Sequence, residues 1–449
     1  MLLQQLIESD NLKEKILETL SKNGLDSPCY AKILDYTISS FDEAGRGKDY
    51  YGYHNIIHEL EVTYVTLIAA QWESLQNYIT LEDMKYLYFA ALFHDYDPQK
   101  MKEKPHEEVA VNFVKTDETI LGFLKDANLD VNIIAALILR TTYPWSGELK
   151  EKAEKNIEKY LSLSDLTKND SNLKEHYKKL GWFLSVVDRI SGYSLGNFNH
   201  ALELANKNAY ALGWHPSVLA KRSIVYFEDL LSNETEMCDH VLHALPKPMR
   251  KLFMDNVLAF LKLREEELMI QSSLVYENVK IFPVIETTKT RQNEEFIQTL
   301  RTIYDELPSP HQFKKENFAD SIRDPNTILN TLRLGNEKGP IVGFAKGGPL
   351  EDYKHRAQNF DKNYGMFNTV FLEPIALKTG YYGQGGGHEI RVLFAIQADA
   401  KGYKFLTSFA PRERIQKRIE RQEGIESVKE FSPDRWDYYR ITLNTNNSR

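Results

Sequence analysis

The chain has 449 residues, 42% hydrophobic and 27% charged, with 64 acidic against 56 basic side chains and a formal net charge of -8. That length exceeds what one core organises and implies more than one domain. The acidic balance argues against broad nucleic-acid binding through phosphates, and no stretch approaches the run of ~20 apolar residues that a membrane span needs.

Met1–Glu8 reads as an amphipathic helix rather than a basic-plus-apolar leader. The two cysteines, Cys29 and Cys238, form neither a disulfide framework nor a metal-site spacing, so a reducing cytoplasm is expected. Up to about residue 275 apolar residues recur at three- and four-residue spacing. The pattern predicts helices over Asn11–Lys22, Asn55–Leu75, Leu81–His94, Val131–Thr141, Asn172–Ser191, Val218–Leu231 and Lys247–Ile270. After a boundary at Ser273–Lys280 the period changes. Strands are predicted at Ile281–Ile285, Thr327–Leu334, Gly339–Gly347, Thr369–Leu377, Lys404–Phe409 and Tyr438–Leu443, with helices at Asn293–Asp305, Gly387–Ala398 and Arg412–Gln422. The expectation is an all-α domain over 1–275 followed by an α+β domain over 281–449, a usual domain size.

Ligand-type residues interrupt the apolar runs of the first half. Tyr53-His54-Asn55-Ile56-Ile57-His58 opens one predicted helix, and the spacing of four would put His54 and His58 on one face. His94-Asp95 ends the run Tyr86–Phe93, and Asp188 follows Trp182–Val187. Such groups are costly to bury unless paired or bound to metal. A single histidine beside an apolar face is ordinarily a hydrogen-bonded core residue. Three segments that all offer ligand types point instead to a divalent ion inside a helical bundle.

These motifs resemble the HD superfamily of metal-dependent phosphohydrolases, and the YHNxxH form is similar to that of cyclic-nucleotide phosphodiesterases. The resemblance implies His58, His94, Asp95 and Asp188 as ligands of Mn, Fe, Zn or Mg, with Asp95 bridging if two ions bind. It implies His54 as the proton donor to the leaving oxygen, and a small phosphate ester or nucleotide as substrate. His106 is either a further ligand or part of a helix start after Pro105, with Glu107 or Glu108 orienting a water in the first case. Asp165 rivals Asp188. Arg140-Thr141-Thr142-Tyr143 stands where many members carry another histidine, a departure from the full two-metal set. Lys100, Lys104, Arg189 and Arg222 are candidates for the pocket wall.

In the second half, Tyr382-Gly383-Gln384-Gly385-Gly386-Gly387 follows a predicted strand and opens a helix. Glycines let successive backbone N–H groups point at an anion, and the helix N-terminus adds a partial positive charge. The order of elements resembles a GNAT acyltransferase domain with a mixed, mostly antiparallel sheet. The resemblance implies that Gly383, Gln384, Gly385, Gly386 and Gly387 hold the pyrophosphate of acetyl-CoA, with Tyr382 where Arg or Gln is usual. It also implies that Phe371–Leu377 pairs with the pantetheine arm and that Glu373 is the base for an amine. No tyrosine lies on Arg412–Gln422 to protonate the thiolate, which leaves Tyr438 or Tyr439 for that role. The sequence thus suggests a phosphohydrolase fused to an acyl-CoA-binding domain. The alternatives are an N-acetyltransferase whose helical half is regulatory, and a ligand sensor without catalysis.

Overall fold

The computed structural model describes residues 9–71, 79–98, 106–212, 214–314, 316–432 and 435–443. The chain divides into two compact units, Met1–Asn208 with Arg222–Phe260, and Ala209–Lys221 with Leu261–Arg449. No helix among the described residues is long and apolar enough to cross a membrane.

The helical region runs α1 (Ser9–Lys22), α2 (Pro28–Glu43), α3 (Ile56–Ala70), α4 (Leu81–Phe93), α5 (His106–Thr116), α6 (Glu118–Asp126), α7 (Val131–Arg140), α8 (Gly147–Leu163), α9 (Ser171–Leu195), α10 (Phe198–Ala211), α11 (Leu219–Asn233), α12 (Thr235–Ala244) and α13 (Lys247–Val275). A one-turn helix, Pro216–Val218, precedes α11. In the first unit α3 is apolar nearly all round, with Ile56, Leu60, Val62, Val65, Leu67, Ala69 and Ala70 buried, as a central helix must be. It packs on α1, α4 and α9. α4 begins in a capping box, the Thr80 hydroxyl accepting the Asp83 N–H and the Asp83 carboxylate accepting the Thr80 N–H at 2.8 Å. α9 is two-faced at first and buried along its second half, Phe183–Leu195. These three helices carry the predicted ligand segments, so the ligands belong to the most buried part of the unit.

The periodic pattern did not reach α2, α5, α6, α8, α10 or α12, and α5 begins at His106, as one of the two readings of that residue had it. α8 shows why: only Ala153, Ile157 and Leu161 are buried along 17 residues, a stripe too narrow to stand out. α3 stops at Ala70 with Gln71 as C-cap. The predicted end at Leu75 and the opening segment Met1–Glu8 lie outside the described residues.

The second unit is built on one sheet of β1 (Ile281–Ile285), β2 (Ile328–Leu334), β3 (Ile341–Pro349), β4 (Thr369–Leu372), β5 (Ala376–Leu377), β6 (Phe405–Pro411), β7 (Ile425–Lys429) and β8 (Trp436–Thr442). The order is β1-β2-β3-β4-β6-β8-β7 with β5 on β3, and every pairing is antiparallel except β4 with β6. Helices α14 (Thr288–Arg291), α15 (Glu294–Tyr304) and α16 (Phe318–Arg323) follow β1, α17 (Gly386–Ala400) follows β5, and α18 (Arg412–Glu420) follows β6. α15 and α16 bury Leu300, Ile303, Phe318 and Ile322 against Leu329, Ile341 and Phe344. α17 buries Ile390, Phe394 and Ala398 against Val370, Leu372 and Leu406, the side chains of alternate parity. The strand predicted over Thr369–Leu377 is broken at 373–375. Pro374 has no N–H to give a ladder, so the chain leaves the sheet there.

Candidate functional sites

Asn55 sets the geometry of the first site. Its side chain caps α3 by accepting the His58 N–H at 3.1 Å, while its amide donates to the carbonyls of Gly52 at 2.8 Å and Tyr50 at 3.2 Å. The cap starts the helix at Ile56, so His54 lies in the turn before α3 and does not share a helical face with His58, contrary to the predicted spacing. Arg46 Nη1 donates to the His54 carbonyl at 3.1 Å and holds that turn.

His58 sits in the first turn of α3, His94 is the C-cap of α4 with Asp95 after it, and Asp188 lies in the buried half of α9. His58 Nε2 is 3.3 Å from Asp95 Oδ2 and 3.1 Å from Asp188 Oδ1, and His94 Nε2 is 3.5 and 3.4 Å from the same two oxygens. One ligand atom from each of the four lies within 4.8 Å of the others. Neither Nε2 is aligned for a hydrogen bond although both are buried. Two imidazole nitrogens and two carboxylate oxygens therefore face one point without satisfying each other, an arrangement that a divalent cation fits.

The electrostatics agree. Burial alone would push His58 down, but Asp188 and Asp95 outweigh it and raise the ring to about 10. Burial would likewise push Asp95 up, yet His54, His94 and His58 hold its carboxyl well below the usual range. The cluster therefore favours positive charge at its centre. Behind it, Glu59 Oε2 lies 2.8 Å from His94 Nδ1 and Glu59 Oε1 accepts the Asp95 N–H at 3.2 Å. The Ala91 carbonyl, 3.0 Å from Nδ1, fixes the ring orientation, and the Glu59 carboxylate beside it favours a more basic imidazole and so a better far nitrogen. The sequence reading passed over Glu59. Its signal is an acidic residue inside the otherwise apolar opening of a wholly buried helix.

His54 Nε2 reaches Asp95 Oδ2 at 3.5 Å, and burial pushes this ring down to about 3 despite that carboxylate. His106 is not among the four converging residues: its Nδ1 lies 2.9 Å from Asp97 Oδ2 and its ring 4.7 Å from that of His54. Burial pushes the neighbouring Glu107 up to about 7, with Asp95 adding to the shift. Glu108 pairs outward with Lys152 at 2.6 Å. Asp165 is removed as a rival ligand, because its side chain is 89% exposed and paired with Lys168. Arg140, in place of a further histidine, is buried against Glu234 at 3.2 Å. Of the pocket-wall candidates, Arg189 is bound to Asp229 at 2.8 Å and lies between the rings of Tyr143 and Tyr226. Lys100 and Lys104 are outside the described residues.

The second site lies where the sheet parts. β4 and β6 pair from Thr369↔Phe405 to Phe371↔Thr407. Beyond that register β6 continues along β8 to Pro411↔Trp436, whereas the chain after Leu372 turns through Glu373-Pro374-Ile375 into β5, which pairs only with β3. A notch with unpaired backbone on both sides results. The glycine-rich turn follows β5, with Gly383 at φ +82° and Gly385 at φ +85°, conformations that a side chain would strain. Among the described residues, no backbone acceptor takes the N–H groups of Gly383 to Gly387, and the first such bond is from His388 to the Gly385 carbonyl. A run of free donors at a helix N-terminus is what an anion requires. Tyr382 packs its ring against the core under α17.

Glu373 is buried at the break. Lys346 Nζ lies 2.5 Å from its Oε1 and the Tyr353 hydroxyl donates to the same oxygen at 2.8 Å, while Oε2 makes no hydrogen bond. Tyr438 is committed to Asp361 at 2.9 Å, and burial raises its hydroxyl far above the ordinary value.

No family model matches the chain, and no curated protein does. Solved structures with a similar course over the C-terminal part include an acetyltransferase of the GNAT family from Staphylococcus aureus, at 12% identity, 37% of this chain and 100% of that chain, TM-score 0.26. Another is the ribosomal-protein-S18-alanine N-acetyltransferase of Escherichia coli, at 12% identity, 38% and 98% coverage, TM-score 0.26. A third is Tetrahymena GCN5, at 13% identity, 37% and 96% coverage, TM-score 0.25. At these values the likenesses carry no conclusion about what this protein binds or does.

Proposed function

We propose that the second unit binds acyl-CoA and transfers its acyl group to an amine. The observation that carries this reading is the pairing of a sheet that parts between β4 and β6 with a turn whose N–H groups from Gly383 to Gly387 meet no backbone acceptor among the described residues. The turn would take the pyrophosphate, and the backbone at Pro374 and Ile375 together with the open edge of β6 beyond Thr407 would take the pantetheine amides, the Glu373 N–H being given to the Lys346 carbonyl at 3.1 Å. In the transfer the amine nitrogen attacks the thioester carbonyl, the C–S bond breaks, and the amine loses a proton as the thiolate gains one. Glu373 Oε2, which makes no hydrogen bond, would accept that proton. Saturating acetyl-CoA, at about 100 times its Kd, should stabilise the unit by about 2.7 kcal/mol and raise its melting temperature by roughly 5–10 °C. An unchanged melting curve at millimolar acetyl-CoA would remove the reading.

A second reading applies to the helical unit, favoured by the convergence of His58, His94, Asp95 and Asp188. We propose that these four hold a divalent ion for hydrolysis of a phosphomonoester or phosphodiester, with nucleotides the expected class. When bound, such an ion acts as a Lewis acid and lowers the pKa of its water towards 7. The chain's own contributions are distinct. Asp95 and Asp188 would set the negative charge that draws the ion, the Ala91 carbonyl holds the His94 ring with the Glu59 charge beside it, and His54 faces Asp95 from the turn before α3. An anionic phosphoryl group beside His54 would raise its pKa and let it protonate the leaving oxygen. Glu107, pushed up to about 7 by burial, would exchange protons with a water.

A further inference from the structure

The glycine-rich turn also forms one wall of a cavity that the acyl-CoA reading does not by itself explain. The space, about 230 Å³, is lined by Gly383 and Gln384 of the turn and by Ser217, Lys221, Arg264 and Glu267. All of these belong to the second unit, yet Ser217, Lys221, Arg264 and Glu267 come from the segments Ala209–Lys221 and Leu261–Val275, outside the sheet and its helices. The turn is closely packed on those segments. A Cβ at Gly380 would stand 2.6 Å from Ile270 Cδ1 and one at Gly383 3.1 Å from Ser217 Cβ, and the left-handed φ at both favours glycine.

Two cations face this space against one carboxylate. Lys221 is exposed and makes no ion pair with an acidic side chain among the described residues. Arg264 gives Nη1 to Glu267 Oε2 at 3.0 Å, which leaves most of its five donors free, and Glu267 is itself buried and tied to that guanidinium. An ammonium, a guanidinium with open donors and the free N–H groups of Gly383 and Gln384 together make a set that matches phosphate oxygens. No carboxylate ligand cluster or apolar lining suggests another class.

We infer that this cavity is a phosphate-binding subsite in which Lys221 and Arg264 supply the charge that the glycine-rich turn lacks. The inference rests on the acyl-CoA reading for the source of the phosphate, and it makes the segments before the sheet part of the binding site. Calorimetry on the full chain tests it, with acetyl-CoA titrated into wild type, Lys221→Glu, Lys221→Arg and Arg264→Gln. Lys221 is on the surface, so Lys221→Glu should fold with an unchanged melting temperature while its Kd rises about tenfold or more, and Lys221→Arg should bind like wild type. Arg264→Gln should weaken binding by a similar factor.

The same titrations with 3′-dephospho-acetyl-CoA locate the contact. If wild type then binds as weakly as Lys221→Glu, the pair reads the 3′-phosphate. If the difference between them persists, the pair reads the diphosphate. Equal affinity of wild type, Lys221→Glu and Arg264→Gln for acetyl-CoA would overturn the subsite while leaving the acyl-CoA reading in place. Should wild type not bind acetyl-CoA at all, that reading fails, and inorganic pyrophosphate becomes the probe. Binding weakened by Lys221→Glu would then sustain a phosphate site for another ligand, and binding that is absent or indifferent to Lys221→Glu would end it.

Discussion

Asp95→Ala is expected to strip the helical unit of its metal and to abolish phosphate-ester hydrolysis. Asp95 Oδ2 is the oxygen that three ring nitrogens share, at 3.3 Å from His58, 3.5 Å from His94 and 3.5 Å from His54. No neighbouring carboxylate can replace it, because Asp188 already holds the other side and Glu59 is turned to His94 Nδ1. Elemental analysis of wild type and variant side by side gives the result: one or two equivalents of Mn, Fe, Zn or Mg in wild type and none in Asp95→Ala. Glu59→Gln should keep the four ligands but remove the buried charge beside His94 Nδ1, with metal affinity or activity down about 10–100-fold. Wild type that takes up no metal after incubation with each ion, or Asp95→Ala with undiminished metal and turnover, would reduce the cluster to a set of buried ion pairs.

Gly387→Asp is the corresponding change in the sheet unit. A Cβ at Gly387 meets only Leu377 Cδ1, at 3.9 Å, and its backbone is not in the left-handed region, so a side chain fits without strain. An aspartate in the first turn of α17 also suits the positive end of the helix dipole, worth a few tenths of a kcal/mol to about 1 kcal/mol. The unliganded melting temperature should therefore hold or rise slightly. Binding should move the other way, because the carboxylate would sit among the N–H groups proposed to take a pyrophosphate. The protection given by acetyl-CoA should disappear, and thermal melts with and without the ligand read both effects. Retention of the full ligand-induced shift in Gly387→Asp would place the diphosphate elsewhere.

The four converging residues were legible because burial makes them conspicuous. His58, His94-Asp95 and Asp188 each occupy a position where the apolar period calls for Leu or Ala, and three central helices bring them together. What periodicity misread was His54. Spacing of four suggested a shared helical face, but the side chain of Asn55 caps α3 and moves His54 into the turn. Glu59 escaped notice because a lone acid beside a ligand looks like a solvated residue until its helix is seen to be buried on every side. In the second unit β1 was read at its ends, and the alternation of strands and helices gave the layer arrangement. The polar edge strand β7, Ile-Glu-Ser-Val-Lys, has no period that distinguishes it from a loop. The break at Pro374 was legible in principle, since a proline after Glu373 cannot feed a central ladder. The cavity with Lys221 and Arg264 could not be read at all, because it joins segments more than a hundred residues from the turn they face.

The most direct test of the acyl-CoA reading is a crystal structure of the full chain grown with CoA. The expected result is a diphosphate on the N–H groups of Gly383 to Gly387, with the pantetheine arm in the notch where β4 parts from β6 and the thiol directed towards Glu373. CoA bound elsewhere, or a notch that stays empty at millimolar CoA, would contradict it.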